Sequence, residues 1–251
     1  MIGVFDSGVG GLTVVKEIFK NLPEYQIIYF GDTARLPYGT KGADFVRKAS
    51  SEVTSWLLKK GAKIIVVACH TSSAWASESL KKEYKDVPIF EMISPTIKGS
   101  LLNSEKIGVI GTPGTIKSNA WKNKLSGLKV FSKACPLFVP LVEEGWIDKN
   151  ITKEIVKEYL SDLRGIDILI LACTHYPILK KIIKEVLKDV KIIDPAESLV
   201  KELALFLENN PRIASQIKKG DNHQFFFSDE PYNFKKISKL CLGREINARI
   251  L

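Results

Sequence analysis

Only four cysteines, Cys69, Cys135, Cys173 and Cys241, occur in this 251-residue chain, and no two of them form a CxxC pair. Such spacing supports neither a disulfide framework nor a zinc knuckle, which needs clustered thiolate and imidazole ligands. Cys69-His70 and Cys173-Thr174-His175 also lack metal-ligand spacing, so no metal is expected. No apolar run approaches the roughly 18 residues that span a bilayer, so no membrane association is expected. Met1 leads straight into Ile-Gly-Val-Phe, without the basic start and cleavage site of a signal peptide. The expected location is therefore cytoplasmic, with the thiols reduced. The glycines at positions 8, 10 and 11 stop short of a full GxGxxG because residue 13 is Thr, and no Walker lysine is present. Nucleotide binding is thereby disfavoured.

Charge is unbalanced, with 37 Lys+Arg against 28 Asp+Glu and a formal net charge of +9. Lys180, Lys181, Lys184 and Lys188 nevertheless sit at helical spacing, no basic arm is present, and aromatic residues do not alternate with basic ones. The excess reads as a solvated lysine surface, and no specific nucleic-acid partner is expected. A positive field modestly favours an anionic substrate without identifying one.

What the chain does contain is a regular alternation. Hydrophobic residues make up 45% and charged residues 26%, as in a globular protein. Short β-rich apolar runs at 2–5, 26–30, 63–68, 107–110, 168–171 and 191–193 predict strands. Helical periodicity at 12–21, 43–60 and 74–84 fills the intervals. This pattern predicts an α/β fold with mostly parallel sheets flanked by helices, and ligands gather beyond the strand ends of such sheets.

The chain also repeats itself. Ile2-Gly3-Val4 recurs 105 positions later as Ile107-Gly108-Val109, and IVVAC at 65–69 recurs 104 positions later as LILAC at 169–173. Two features at nearly one offset suggest a duplicated α/β unit. If the halves face each other, Cys69 and Cys173 lie on opposite walls of one cleft. Pro95 and residues 99–105 read as one crossing between pseudo-symmetric lobes, and Asp194-Pro195 as another turn. The segment after about Leu205 reads as a tail that returns to the first lobe.

Opposed thiols suit a particular chemistry. Inverting a carbon that bears a weakly acidic proton requires removal on one face and return on the other, which two groups achieve more simply than one. A free thiol, with a pKa near ~8.5, can serve in either protonation state. Asp6, in the Asp6-Ser7-Gly8 turn after the first strand, suits either orienting a thiol or binding an ammonium group. His175 stands two residues beyond Cys173, within reach for proton exchange. Thr71, Ser72, Ser73 and Thr174 fall at strand-to-helix junctions, where hydroxyls and N–H groups cradle carboxylates. An isolated cysteine closing an apolar strand is ordinarily core filler, and a lone Asp-Ser-Gly is ordinarily a turn. The paired cysteines in matching halves shift that reading towards a two-thiol enzyme.

Four longer motifs go further: FDSGVGGL at 5–12, GDTARLPYG at 31–39, CPLFVPLVE at 135–143 and ACTHYP at 172–177. Together, in this order, they resemble the glutamate racemase family, over a span reaching about Glu202. The resemblance implies two α/β lobes with the site between them, no cofactor, and supply of D-glutamate for peptidoglycan. It implies that Cys69 acts on the D-enantiomer with Asp6 in support, and Cys173 on the L-enantiomer with His175 in support. Asp32 and Glu143 match family acids near the thiols. Ser7, Pro37, Tyr38, Gly39, His70, Thr71, Thr112, Thr115 and Thr174 match positions that hold the substrate. Residues 1–95 with 206–251 would form the first lobe and 96–205 the second, and the assembly would be a homodimer.

One position departs from the pattern. The family reads Cys-Asn-Thr where this chain reads Cys69-His70-Thr71. A protonated imidazole there would add a cation beside Cys69 and lower its pKa, while a neutral one would still donate a hydrogen bond. Two other readings stay open at this point: a racemase of aspartate or another small acid, and a catalytically impaired amino-acid-binding protein.

Overall fold

The computed structural model describes residues 1–100 and 105–251, the side chains of residues 99 and 100 excepted. The expected crossing at 99–105 therefore falls largely outside the described residues. Buried apolar runs build the first sheet: β1 (Ile2–Asp6), β2 (Ile27–Gly31) and β3 (Ile64–Val67) are buried at every position. Continuous rather than alternating burial is what a parallel sheet covered on both faces requires. β4 (Ile89–Glu91) pairs with β3 in the same sheet, and a separate four-stranded sheet is built from β5 (Lys106–Gly111), β6 (Lys129–Ala134), β7 (Ile168–Ala172) and β8 (Lys191–Ile193). The tail adds β9 (Gln224–Phe227) and β10 (Arg249–Ile250) to the first sheet, beyond β2.

The strand orders are β10-β9-β2-β1-β3-β4 and β6-β5-β7-β8, parallel throughout. Stripped of the tail strands, the two orders are the same, as a duplication predicts. The glycines of the repeat explain part of the match. A methyl on Gly3 would stand 2.8 Å from Ala62 and 3.1 Å from Ile65, and one on Gly108 would stand 2.5 Å from Ile166 and 3.1 Å from Leu169. Both positions let the neighbouring strand and its incoming turn approach closely.

Helices cover these sheets through their apolar stripes. Val46, Ala49, Val53 and Leu57 bury one face of α2 (Ala43–Lys59), at the 3.6-residue period of an amphipathic helix. Leu12, Val14, Val15 and Ile18 do the same for α1 (Leu12–Asn21). The helix after β3, α3 (His70–Glu83), begins four residues before the expected 74, directly after Cys69. His70 and Thr71 thus lie in the first turn of a helix rather than in a loop. Past α4 (Ser94–Ser100) the second lobe carries α5 (Pro113–Lys117), α6 (Ala120–Lys124), α7 (Phe138–Glu143), α8 (Asn150–Leu160) and α9 (Lys180–Val186).

Asp194-Pro195 opens α10 (Pro195–Asn209), with the Asp194 carboxylate accepting the Ala196 N–H at 3.0 Å. Leu199, Val200, Leu203 and Leu207 of α10 join the core that contains Ile2, Val4, Leu12 and Ile18. The expected boundary at 205/206 accordingly runs through a helix whose buried face belongs to the first lobe's core. A short helix, α11 (Pro211–Ala214), precedes the tail, and α12 (Phe234–Leu242) adds Ile237, Cys241 and Leu242 to the same core.

Candidate active site

The C-terminal ends of β1 and β3 from one lobe and of β5 and β7 from the other converge on a cavity of about 270 Å³. Cys69 and Cys173, each just past the end of its strand, both line it. Asp6, Ser7, Pro37, Tyr38, Gly39, His70, Thr71, Thr112, Glu143, Thr174 and His175 share the wall. Among the described residues, no lysine or arginine does so. The excess positive charge is therefore carried elsewhere.

On the first wall, the Cys69 thiol donates to Ser7 Oγ at 3.7 Å. Burial, reinforced by the nearby Asp6 carboxylate, pushes the Cys69 thiol up to about 11. Asp6 is itself buried, which raises its pKa. The His175 charge, the Gly8 and Gly11 N–H groups and the Thr174 hydroxyl oppose that rise. The Gly8 N–H reaches Asp6 Oδ1 at 3.0 Å and the Thr174 hydroxyl reaches Oδ2 at 3.4 Å.

The second wall is a relay. His175 Nδ1 lies 3.9 Å from Cys173 Sγ, and Nε2 lies 3.1 Å from Glu143 Oε1. Burial alone would lower the imidazole's pKa, but hydrogen bonds to Cys173 and Glu143 outweigh it and raise the value to about 10. Both partners favour the protonated ring.

Hydroxyls meet where the lobes touch beside the cavity. Thr71 Oγ1 lies 2.9 Å from Thr112 Oγ1 and 3.2 Å from Thr115 Oγ1, and Thr112 and Thr115 are 2.9 Å apart. Thr115, fully buried, backs the other two and does not reach the cavity wall. The Trp75 indole N–H donates to the Gly114 carbonyl at 3.0 Å, a second tie across the same seam.

Three expectations change: Thr115, expected to hold the substrate, backs Thr71 and Thr112 instead, and two further residues differ. Asp32, expected near the thiols, does not line the cavity. It is buried behind Tyr38, accepting that hydroxyl, Arg35 Nε at 2.6 Å and Ser228 Oγ at 2.9 Å. Its acceptor capacity is taken up in fixing the 33–40 segment, so it supports the wall rather than the chemistry. Burial, followed by the charge of Asp32, holds the Tyr38 phenol well above its ordinary range, so it is a hydroxyl donor. His70, for its part, supplies no cation. It is 3% exposed, its Nδ1 makes no hydrogen bond among the described residues, and its ring stacks on Trp121 at 6.2 Å. Burial lowers its pKa to about 3, so the ring is neutral and the Cys69 thiol is not lowered by it.

The wall also includes Gly8, Leu36, Thr40, Pro113, Pro136, Val139 and Pro140, which sequence reasoning did not single out as site residues. Pro136, Val139 and Pro140 fall within the CPLFVPLVE motif, and that was the available signal. The apolar character of Leu36 and Val139 gave none. Among the described residues, no three His, Cys, Asp or Glu side chains are grouped to hold a metal.

Two duplicated lobes with parallel sheets of matching strand order meet at a cleft that carries both thiols. Residues 2–203 match the family model described as Asp/Glu/Hydantoin racemase. Glutamate racemase of Aquifex pyrophilus is 47% identical, over 99% of this chain and 96% of its own length. Solved glutamate racemases from Francisella tularensis, in complex with D-glutamate, and Thermus thermophilus, in complex with beta-chloro-D-alanine, superpose with TM-scores of 0.91 and 0.90. Each is 38% identical and aligns over all of this chain and 96% of its own. The chain belongs to the Asp/Glu/hydantoin racemase family.

Proposed function

We propose that this enzyme interconverts L- and D-glutamate by two-base proton transfer at Cα, using Cys69 and Cys173. One observation carries the reading: the two thiols close equivalent strands of two duplicated lobes and line the same cavity. The glutamate racemases at 47% and 38% identity support glutamate as substrate over aspartate or a binding-only role.

At rest, burial keeps the proton on Cys69, and His175 carries a second one. With L-glutamate bound, a Cys173 thiolate, charge-compensated by the imidazolium, takes the Cα proton. Cys69 then delivers its own proton to the opposite face, leaving Cys69 as the thiolate and Cys173 as the thiol. D-glutamate requires that exchanged state, so the reverse reaction starts where the forward one ends. Glu143 holds the imidazolium, and Asp6 helps keep the Cys69 proton in place while offering a carboxylate to the substrate ammonium. The Tyr38 and Thr174 hydroxyls, whose protons go to Asp32 and Asp6, shape the wall. The substrate carboxylates rest on Ser7, Thr71, Thr112, the His70 ring and nearby N–H groups. Such neutral donors bind an anion through oriented dipoles, without a competing surface cation.

No cofactor is needed for this sequence of transfers. The catalytic lobes are residues 1–93 with 194–251 and residues 94–193, a division supported by the two sheets and by the packing of α10. The family resemblance extends the proposal to a cytoplasmic homodimer that supplies D-glutamate for peptidoglycan.

The test is to incubate the purified protein with L-glutamate in D₂O, following circular dichroism and Cα deuteration together. Loss of the dichroic signal with Cα exchange, abolished by both Cys69→Ser and Cys173→Ser, is the expected result. Activity that survives either substitution would remove the two-thiol mechanism, and an inert wild type would remove glutamate as substrate.

A further inference from the structure

Thr13, the second residue of α1, is buried and does not line the cavity. Its hydroxyl nevertheless lies 2.9 Å from the Gly10 carbonyl and 3.0 Å from the Thr174 carbonyl. Gly10 O already receives the Thr13 N–H at 3.0 Å, so the single hydroxyl proton is free to serve Thr174. Thr174 belongs to the other lobe and lies between Cys173 and His175. Its own hydroxyl reaches back to Asp6 Oδ2 at 3.4 Å. Both polar ends of Thr174 are thus held by groups of the first lobe, through contacts 161 and 168 residues apart in sequence. The Cys69 segment is tied across the lobes by a separate set of contacts, Thr71 Oγ1 with Thr112 and Thr115 Oγ1, so Thr13 bears on the Cys173 side alone.

We propose that Thr13 is a positioning residue that seats the Cys173-Thr174-His175 loop on the first lobe, and so sets the gap across which the two thiols face one carbon. The inference rests on the two-thiol reading. Proton transfer needs reacting atoms about 3–3.5 Å apart and aligned, and a misplacement of about 1 Å costs on the order of 10²-fold. Without the hydroxyl, the Thr174 carbonyl loses a donor and the loop gains freedom only on the Cys173 side. The effect should therefore be directional, which general loosening of the fold is not.

The experiment uses Thr13→Val, which keeps the shape without the hydroxyl, and Thr13→Ser, which keeps the hydroxyl. Thr13→Ala is a second hydroxyl-free variant, used if the valine disturbs the first turn of α1. Racemisation is followed from each enantiomer with protonated and Cα-deuterated glutamate, and folding is checked by thermal unfolding. In Val and Ala, kcat should fall about 10²-fold while KM stays within about threefold. The deuterium isotope effect should rise for L-glutamate, whose proton goes to Cys173, and fall for D-glutamate. Thr13→Ser should restore both. Unchanged isotope effects, equal changes in both directions, or a serine variant no better than valine would each overturn the role of Thr13 while leaving the racemase reading intact. A wild type that exchanges no Cα proton would overturn that reading, and this inference with it.

Discussion

A single methyl group at Gly10 should separate fold from catalysis. An alanine Cβ there would stand 2.4 Å from Thr174 Oγ1 and 2.5 Å from both Cε1 and Nδ1 of His175. Comfortable contact lies near ~3.5 Å, so the imidazole and its loop must retreat by about 1 Å. The ring has little freedom to do so, because Nδ1 faces Cys173 Sγ at 3.9 Å and Nε2 holds Glu143 at 3.1 Å. A displacement of that size should lower kcat about 10²-fold, with overpacking adding roughly 1–3 kcal/mol of destabilisation. The control is Gly3→Ala, whose methyl would stand 2.8 Å from Ala62 Cβ on a strand position away from the cavity. It should incur a similar stability cost and leave kcat of the folded protein unchanged. The assay is polarimetric or dichroic racemisation from both enantiomers at saturating substrate, paired with thermal unfolding of each variant. Wild-type kcat in a folded Gly10→Ala protein, or an equal loss of kcat in Gly3→Ala, would refute the reasoning.

Glu143→Gln removes a carboxylate that helps hold the His175 proton, so the alkaline limb of kcat/KM should move down by roughly one pH unit or more. Because the folded pKa of His175 lies above its ordinary 6.5, its stability contribution is complete below pH 6.5 and lost as pH rises through about 10. Melting temperatures between pH 6 and 10 should therefore fall less steeply in the glutamine variant than in the wild type. His70 has the opposite sign: its folded pKa of about 3 lies below 6.5, so stability is complete above pH 6.5 and lost as pH falls towards 3. His70→Asn should flatten the acid side of the stability curve, and an unchanged slope there would mean that the ring is not the buried neutral group described. Asp32→Asn weakens the network under Tyr38 and should cost roughly 1–3 kcal/mol by thermal or denaturant unfolding. It should raise KM while the Cα-deuterium isotope effects stay those of the wild type, since Asp32 does not reach the cavity.

The amino-acid sequence alone determined the elements whose period is strong and local. β1, β7 and α1 were readable because a continuous apolar run, or a helical stripe, reports its own burial. The repeated strands determined more, since a duplicated unit brings matching cysteines to matching strand ends. Elements whose burial depends on distant partners left no such trace. β6 reads KVFSKA, half lysine and polar, because it is an edge strand with one neighbour. The tail strand β9 finds its place by pairing with β2, nearly two hundred residues earlier, and with β10 on its other side. Tertiary structure also decided the electrostatics. Asp32 stands in a motif that looks catalytic, yet Tyr38, Arg35 and Ser228 close around its carboxylate. His70 stands beside a reactive thiol, yet loss of solvent keeps it neutral. Local pattern encodes which side chains leave water, whereas the charge a buried group carries depends on neighbours that only the folded chain assembles.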